Sequence, residues 1–130
     1  MSIYFVLAAM LFMHVLDDYG LQSRCLSFLK QKDWWQKEAP QKLYRFDYIV
    51  ALFMHGLSWA FMIMLPIAFA IDFNVNAGFL VMFGFNTIMH AWVDNLKANK
   101  KMINLWVDQL FHMVQIGGTF YAFIAGGFNA

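Results

Sequence analysis

Residues 90–101 read HAWVDNLKANKK. A histidine, an aspartate four residues on and a lysine three beyond that fall on one face of a helix, because intervals of three and four return to the same side at 3.6 residues per turn. The run that leads into this stretch, from Val75 to Val93, is apolar except for Asn76, Asn86, Thr87 and His90, and three lysines, Lys97, Lys100 and Lys101, follow it. The other basic residues, Arg24, Lys30, Lys32, Lys37, Lys42 and Arg45, occupy a second loop, and the two loops together hold all nine Lys and Arg of the chain. Short loops rich in Lys and Arg stay on the cytoplasmic side of a membrane. Both loops are therefore expected on one side, with apolar helices between them.

The composition agrees: 62% of the 130 residues are hydrophobic, 19% aromatic and 13% charged, far from a soluble average. An all-α fold is predicted, a polytopic bundle of four transmembrane helices over about 3–21, 48–71, 75–97 and 103–125, forming one domain across 1–130. The first span is short unless it runs through Asp17 and Asp18 to Leu21, given a hydrocarbon core of ~30 Å. Pro66 is expected to kink the second near its far end. Four spans with both basic loops inside put the N- and C-termini outside, in a bacterial inner (cytoplasmic) membrane, and the apolar N-terminus reads as a retained span and not a cleaved leader. Between the first two spans, Leu21 to Lys32 places Leu21, Cys25, Phe28 and Leu29 on one face ahead of Trp34 and Trp35. It reads as an amphipathic helix lying along the cytoplasmic surface. The single Cys25 excludes an internal disulfide or a paired-thiol metal motif. Gly118, Ala122 and Gly126, at four-residue spacing, offer close helix approach, either within the monomer or in a homo-oligomer. A net charge of +1 gives no nucleic-acid signal.

Polar side chains recur at helical spacing on each span. His14, Asp18 and Gln22 share one face of the first, His55 stands alone in the second, Asn86, His90, Asp94 and Lys97 line the third, and Asn104, Asp108, His112, Gln115 and Thr119 line the fourth. Counting inward from the basic loops at ~1.5 Å per residue puts His90 about 10 Å deep, His112 about 13 Å and His55 about 15 Å, with His14 similar. Asp18, Asp94 and Asp108 lie about a turn nearer the cytoplasm. One inward-opening cluster is the expected result.

Ionisable side chains inside a span are rare and are normally paired, solvated or functional. His14, Asp18, His55, His90, Asp94, Asp108 and His112 form an imidazole and carboxylate set suited to a divalent metal, zinc first, with manganese or iron as alternatives; the lack of thiolate speaks against copper(I) and iron–sulfur. Seven ligands exceed one tetrahedral ion, so either two bridged ions or one ion with supporting groups is implied. Two structural alternatives stand beside this: polar glue between helices, and a wetted ion path.

The motifs HVLDDYGLQ at 14–22, Lys30, His55, HAWVDNLK at 90–97 and DQLFH at 108–112, in order over nearly the whole chain, resemble the integral membrane family of bacteria and phages catalogued as domain of unknown function 3307. The resemblance implies recurring polar residues at His14, Asp18, Gln22, Lys30, His55, His90, Asp94, Lys97, Asp108, Gln109 and His112, with Asp17 outside the pattern. It implies no activity, though its layout is similar to that of small membrane-bound metal-dependent hydrolases.

The leading functional expectation is a metal-dependent hydrolase or transferase at the cytoplasmic membrane face, acting on a phosphate-containing or lipid substrate. Asp18, Asp94 and Asp108 would serve as bridging ligand or general base. Lys30 and Lys97, with Gln22 and Gln109, would hold an anionic lipid or phosphate at the mouth. Two further readings are a proton or divalent-metal channel or transporter, and a non-enzymatic phage membrane effector with a structural metal. Tyr4, Trp59 and the many Phe and Met residues read as packing or lipid contact.

Overall fold

The computed structural model describes residues 2–128, and among them the chain is helical with no strand. Helix α1 covers Ile3–Val15 and runs on without a break into a π-helical turn, Leu16–Leu21. Two short helices follow, α2 (Arg24–Leu29) and α3 (Lys32–Glu38), then a 3₁₀ turn at Lys42–Tyr44. Three long helices complete the bundle: α4 (Asp47–Ala70), α5 (Ala77–Ala98) and α6 (Leu105–Ile124). Helix α4 remains one element across Pro66. It lies at the centre, packed against α1 on one side and α5 on the other, while α6 leans on α5 and α1. Gly56 permits the α4–α5 approach, since a Cβ there would stand 2.5 Å from the Thr87 carbonyl.

Capping explains where the later helices start. The Asn76 side chain accepts from Phe79 N, the Asn104 side chain from Val107 N, and the Ser23 hydroxyl from Leu26 N, each satisfying an amide that a helix's first turn leaves without a partner. Helix α6 stops where Gly126 enters the left-handed region (φ 81°), so that Gly127 N can bond Ala122 O at 2.9 Å. Gly126 thus belongs to the cap and not to a helical stripe with Gly118 and Ala122. Gly118 faces open space.

The polarity of the molecule is inverted relative to a soluble bundle. Large apolar side chains face outward along every long helix, among them Phe5 and Phe12 on α1, Val50 and Phe61 on α4, Val81 and Ile88 on α5, and Leu110 and Val114 on α6. His14, Asp17, His55, Asn86, His90, Asp94, Asp108, His112 and Thr119 are buried. An apolar cluster built from Val6, Met10, Trp59, Ile63, Ile67, Phe79, Ile116 and Phe128 joins the polar layer at Trp59. Among the described residues, two helical stretches are long and apolar enough to cross a membrane, Ile3–Leu21 and Lys42–Ala70. In α5 and α6 the inward-facing polar stripe lowers the mean hydropathy.

Between the first and second long elements, the stretch expected as one amphipathic helix is broken. Residues Gln22 and Ser23 are extended, α2 is only six residues long, and a second break at Lys30–Gln31 precedes α3. The reason is tertiary. Lys30 turns its side chain into the bundle instead of snorkelling, and the Asn99 side chain clamps the break from the other loop, donating to Lys30 O at 3.0 Å and accepting from Lys32 N at 2.7 Å. Leu21, Cys25 and Phe28 keep the outward, exposed face.

Candidate metal centre

The site grows from four helices that each carry an inward imidazole. His14 on α1, His55 on α4, His90 on α5 and His112 on α6 are all buried. The rings meet: His90 stacks on Trp59 (centroids 4.3 Å apart) and on His112 (4.4 Å), which also touch each other at 5.3 Å, and His55 meets its edge at 4.9 Å. Carboxylates stand on the loop side of this layer. Asp18 comes from the π turn, Asp94 from the last turns of α5 and Asp108 from the first turn of α6.

One group of atoms has the arrangement of a ligand set. Asp18 Oδ1 lies 3.5 Å from His55 Nε2 and 4.0 Å from His90 Nε2, and Asp94 Oδ2 lies 3.6 Å and 4.0 Å from the same two nitrogens. These separations are too long for hydrogen bonds. The shorter two are close to the spacing of about 3.4 Å between ligands of a tetrahedral zinc ion with bonds near 2.0–2.2 Å; Asp18, His55 and His90 offer ligand atoms all within 4.8 Å of one another, and Asp94 groups with His90 and His112. Asp18 Oδ1, His55 Nε2 and His90 Nε2 are buried and have no hydrogen-bond partner. Asp94 Oδ2 is held by the Lys30 ammonium at 2.6 Å.

A second group extends from the first. Asp18 turns its other oxygen, Oδ2, toward His112 Nδ1 and His14 Nδ1, each at 3.5 Å. His112 Nε2 stands 3.9 Å from Asp108 Oδ1, and both atoms are unpartnered. The buried His and Asp side chains could thus hold a metal ion in three overlapping ways: His14, Asp18 and His112; Asp18, His55 and His90; or His90, Asp94 and His112. Native interiors almost always pair their buried polar atoms. Here seven imidazole and carboxylate atoms of one layer are unpaired, including both nitrogens of His90.

His14 differs from the other three histidines. The Trp59 indole donates to its Nδ1 at 2.8 Å, and its Nε2 pairs with Gln109 Oε1 at 3.0 Å, which sets the proton on Nε2. Both ring nitrogens are therefore committed to protein partners, and the ring is better placed to orient Gln109 than to bind an ion.

The comparisons give no precedent. No protein family, curated protein or solved structure matches the chain.

The sequence-expected residues divide between this layer and its mouth. His14, Asp18, His55, His90, Asp94, Asp108 and His112 come together in the layer. Gln22, Lys30, Lys97 and Gln109 line a cavity of about 230 Å³ that reaches down to Asp18 and Asp94 and is completed by Tyr19, Ser27, Gln31 and Leu105. The two lysines are not free cations. Lys30 pairs with Asp94 and bonds Gln22 Oε1 at 3.3 Å, and Lys97 pairs with Asp108 at 2.7 Å. Gln109 reaches His14, Asp108 and His112.

Three members of the site were not in the expected set. Asp17, taken as incidental, is as buried as His14; its Oδ1 accepts from Ser58 Oγ at 2.6 Å and its Oδ2 stands 3.8 Å behind His55 Nδ1. The wider π turn, closed by the bond from Gln22 N to Asp17 O, lets two successive carboxylates face the bundle. Trp59, taken as packing, is the donor to His14 and the platform for His90. His55, Ser58 and Trp59 fall at helical intervals of three and four, and that spacing was the available signal.

Proposed function

We propose that the chain is a four-span protein of the bacterial inner membrane, with its termini outside, and that the histidine and aspartate layer holds one or two divalent ions, zinc foremost, for hydrolysis or group transfer on a phosphate-containing or lipid substrate at the cytoplasmic face. The observation that carries this reading is the convergence of unpartnered Asp18, His55 and His90 atoms beside Asp94. Polar glue would pair its own atoms. An ion supplies the missing partners and also lowers the pKa of a bound water and polarises a phosphoryl or acyl oxygen.

The membrane part rests on the inverted surface. At about 1.5 Å per residue, α5 and α6 are roughly 33 and 30 Å long, enough for a hydrocarbon core, and their outward faces are apolar. Orientation follows from the basic loops, which carry every Lys and Arg.

The chain's own groups take distinct roles. His55 and His90 would offer Nε2 lone pairs to a metal, and Asp18 would be a further ligand. Asp17 stands behind His55 as the carboxylate that orients a ligating imidazole, and Asp108 stands behind His112 in the same way. Asp94, which lines the open cavity together with Asp18, would be the proton acceptor for an attacking water. Lys30 and Lys97 border that cavity, where each can exchange a carboxylate partner for an anionic substrate group. Against a channel, a buried apolar cluster that includes Val6, Met10, Ile63 and Ile67 fills the bundle interior outside the polar layer. A phage effector with a structural metal would share the ligands but leave the cavity without a task.

The test is phosphate or headgroup release from a panel of lipid phosphates by protein reconstituted with zinc or manganese. Metal-dependent turnover lost in Asp94→Asn supports the reading. A metal-loaded protein inert towards every phosphate ester and acyl lipid would remove the enzymatic part and favour the structural-metal reading.

A further inference from the structure

A second hollow lies outside the metal-centre layer, in the loop between α2 and α4. It encloses about 240 Å³ and is lined by Lys32, Trp35, Gln36, Lys42, Tyr44 and Arg45. Its aromatic wall is fixed: Trp35 and Tyr44 stack at 5.9 Å and 24°, and the Trp35 indole N–H donates to Leu29 O at 2.8 Å. The loop is also tied to the other basic turn, through the bond from Lys32 N to Asn99 and through Lys101 paired with Asp33 at 3.6 Å.

The charges around this hollow are unbalanced. Among the described residues Asp33 is engaged by Lys101 and Glu38 by Lys37, and Asp47, at the start of α4, forms no ion pair, so no carboxylate lies within ion-pair distance of Lys32, Lys42 or Arg45. Three exposed cations around one polar hollow are suited to a phosphate. The hollow also has an apolar flank. Leu43 and Phe46, the residues beside Lys42 and Arg45, are 79% and 60% exposed, and α4 begins at Asp47 immediately after them. Arg45 lies over the Phe46 ring at 5.2 Å, a cation placed where an apolar anchor ends.

We propose that this hollow binds the phosphate-bearing headgroup of an anionic phospholipid of the cytoplasmic leaflet, with Leu43 and Phe46 set among its acyl chains. The proposal rests on the membrane-spanning reading. A soluble phosphate would use the cations but would gain nothing from the apolar flank, and interfacial tryptophan and tyrosine are the usual companions of headgroups. The site would anchor the α3 loop, and with it the break that carries Lys30 into the centre.

Native mass spectrometry of the purified full chain in neutral detergent, with equimolar phosphatidylglycerol and phosphatidylcholine, tests it. Retention of phosphatidylglycerol in preference to phosphatidylcholine is expected, weakened about fivefold by Lys42→Gln and roughly a hundredfold by Lys32→Gln, Lys42→Gln and Arg45→Gln together, at about 1 kcal/mol per cation. Arg24→Gln with Lys100→Gln should leave it intact. A preference that survives the triple change, or that falls equally in the control pair, overturns the site. Displacement of the lipid by millimolar glycerol 3-phosphate overturns the lipid as occupant. Release of the chain from native membranes by alkaline carbonate would instead overturn the spanning reading, whatever the lipid result.

Discussion

Replacing His90 by phenylalanine should have opposite effects with and without metal. The imidazole is fully buried, stacked on both Trp59 and His112, and neither nitrogen has a protein partner. A buried polar group left unpaired costs about 1–3 kcal/mol, so two nitrogens cost roughly 2–6 kcal/mol when no ion is bound. Phenylalanine keeps the stack and removes both, while its larger ring returns about 1–3 kcal/mol as overpacking. In chelator the variant should therefore match or exceed the wild type, by about 1–3 kcal/mol. Zinc at a hundred times its dissociation constant should then raise the wild type by about 2.7 kcal/mol and leave the variant unmoved. At roughly 4 °C per kcal/mol for a chain of this size, the difference is easily read from thermal unfolding followed by tryptophan fluorescence in detergent. A variant several kcal/mol less stable than wild type in chelator, or one that zinc shifts as much as the wild type, would refute the assignment of His90 as a ligand.

Four other outcomes are expected. Asp17→Asn should weaken metal binding about 10- to 100-fold without abolishing it, whereas Asp18→Asn should abolish it, as measured by competition with a chromophoric chelator. Lys30→Ala leaves Asp94 without its buried counter-charge and should destabilise the metal-free protein by about 3–5 kcal/mol, a loss that added zinc partly repairs in the same melting assay. Trp59→Phe keeps the ring against His90 but leaves His14 Nδ1 without a donor, so a loss of about 1–3 kcal/mol is expected in both metal-free and metal-bound forms. Protons compete with the ion for the imidazole nitrogens, so metal content after equilibrium dialysis should fall on acidification, and a pH-independent content would count against histidine ligation.

The helices and the polar layer were legible because both obey a single period. His90 and Asp94, His14 and Asp18, and Asp108 and His112 are each four residues apart, and counting from the basic loops brought His55 to the same depth without any motif of its own. What escaped was set by departures from that period or by tertiary partners. Asp17, three residues after His14, shares its helical side by spacing as Asp18 does, but nothing in the sequence marks the π turn that lets both carboxylates face inward. Trp59 in an apolar run looks the same from sequence whether it meets lipid or an imidazole. The interfacial helix was read too long because nothing local marks Lys30 as a buried residue; its partner, Asp94, is 64 residues away. The small-residue stripe failed at Gly126, where the need for a left-handed cap outweighed the four-residue spacing.

The most direct measurement is elemental analysis of the full-length protein, purified in detergent without chelator and compared with His55→Ala and His90→Phe variants, with X-ray absorption at the edge of whatever metal is found. One or two equivalents of a divalent transition metal, bound through nitrogen and oxygen with no sulfur and lost in both variants, is the expected result. A metal-free protein that neither takes up zinc nor changes its melting temperature in zinc would contradict the metal centre.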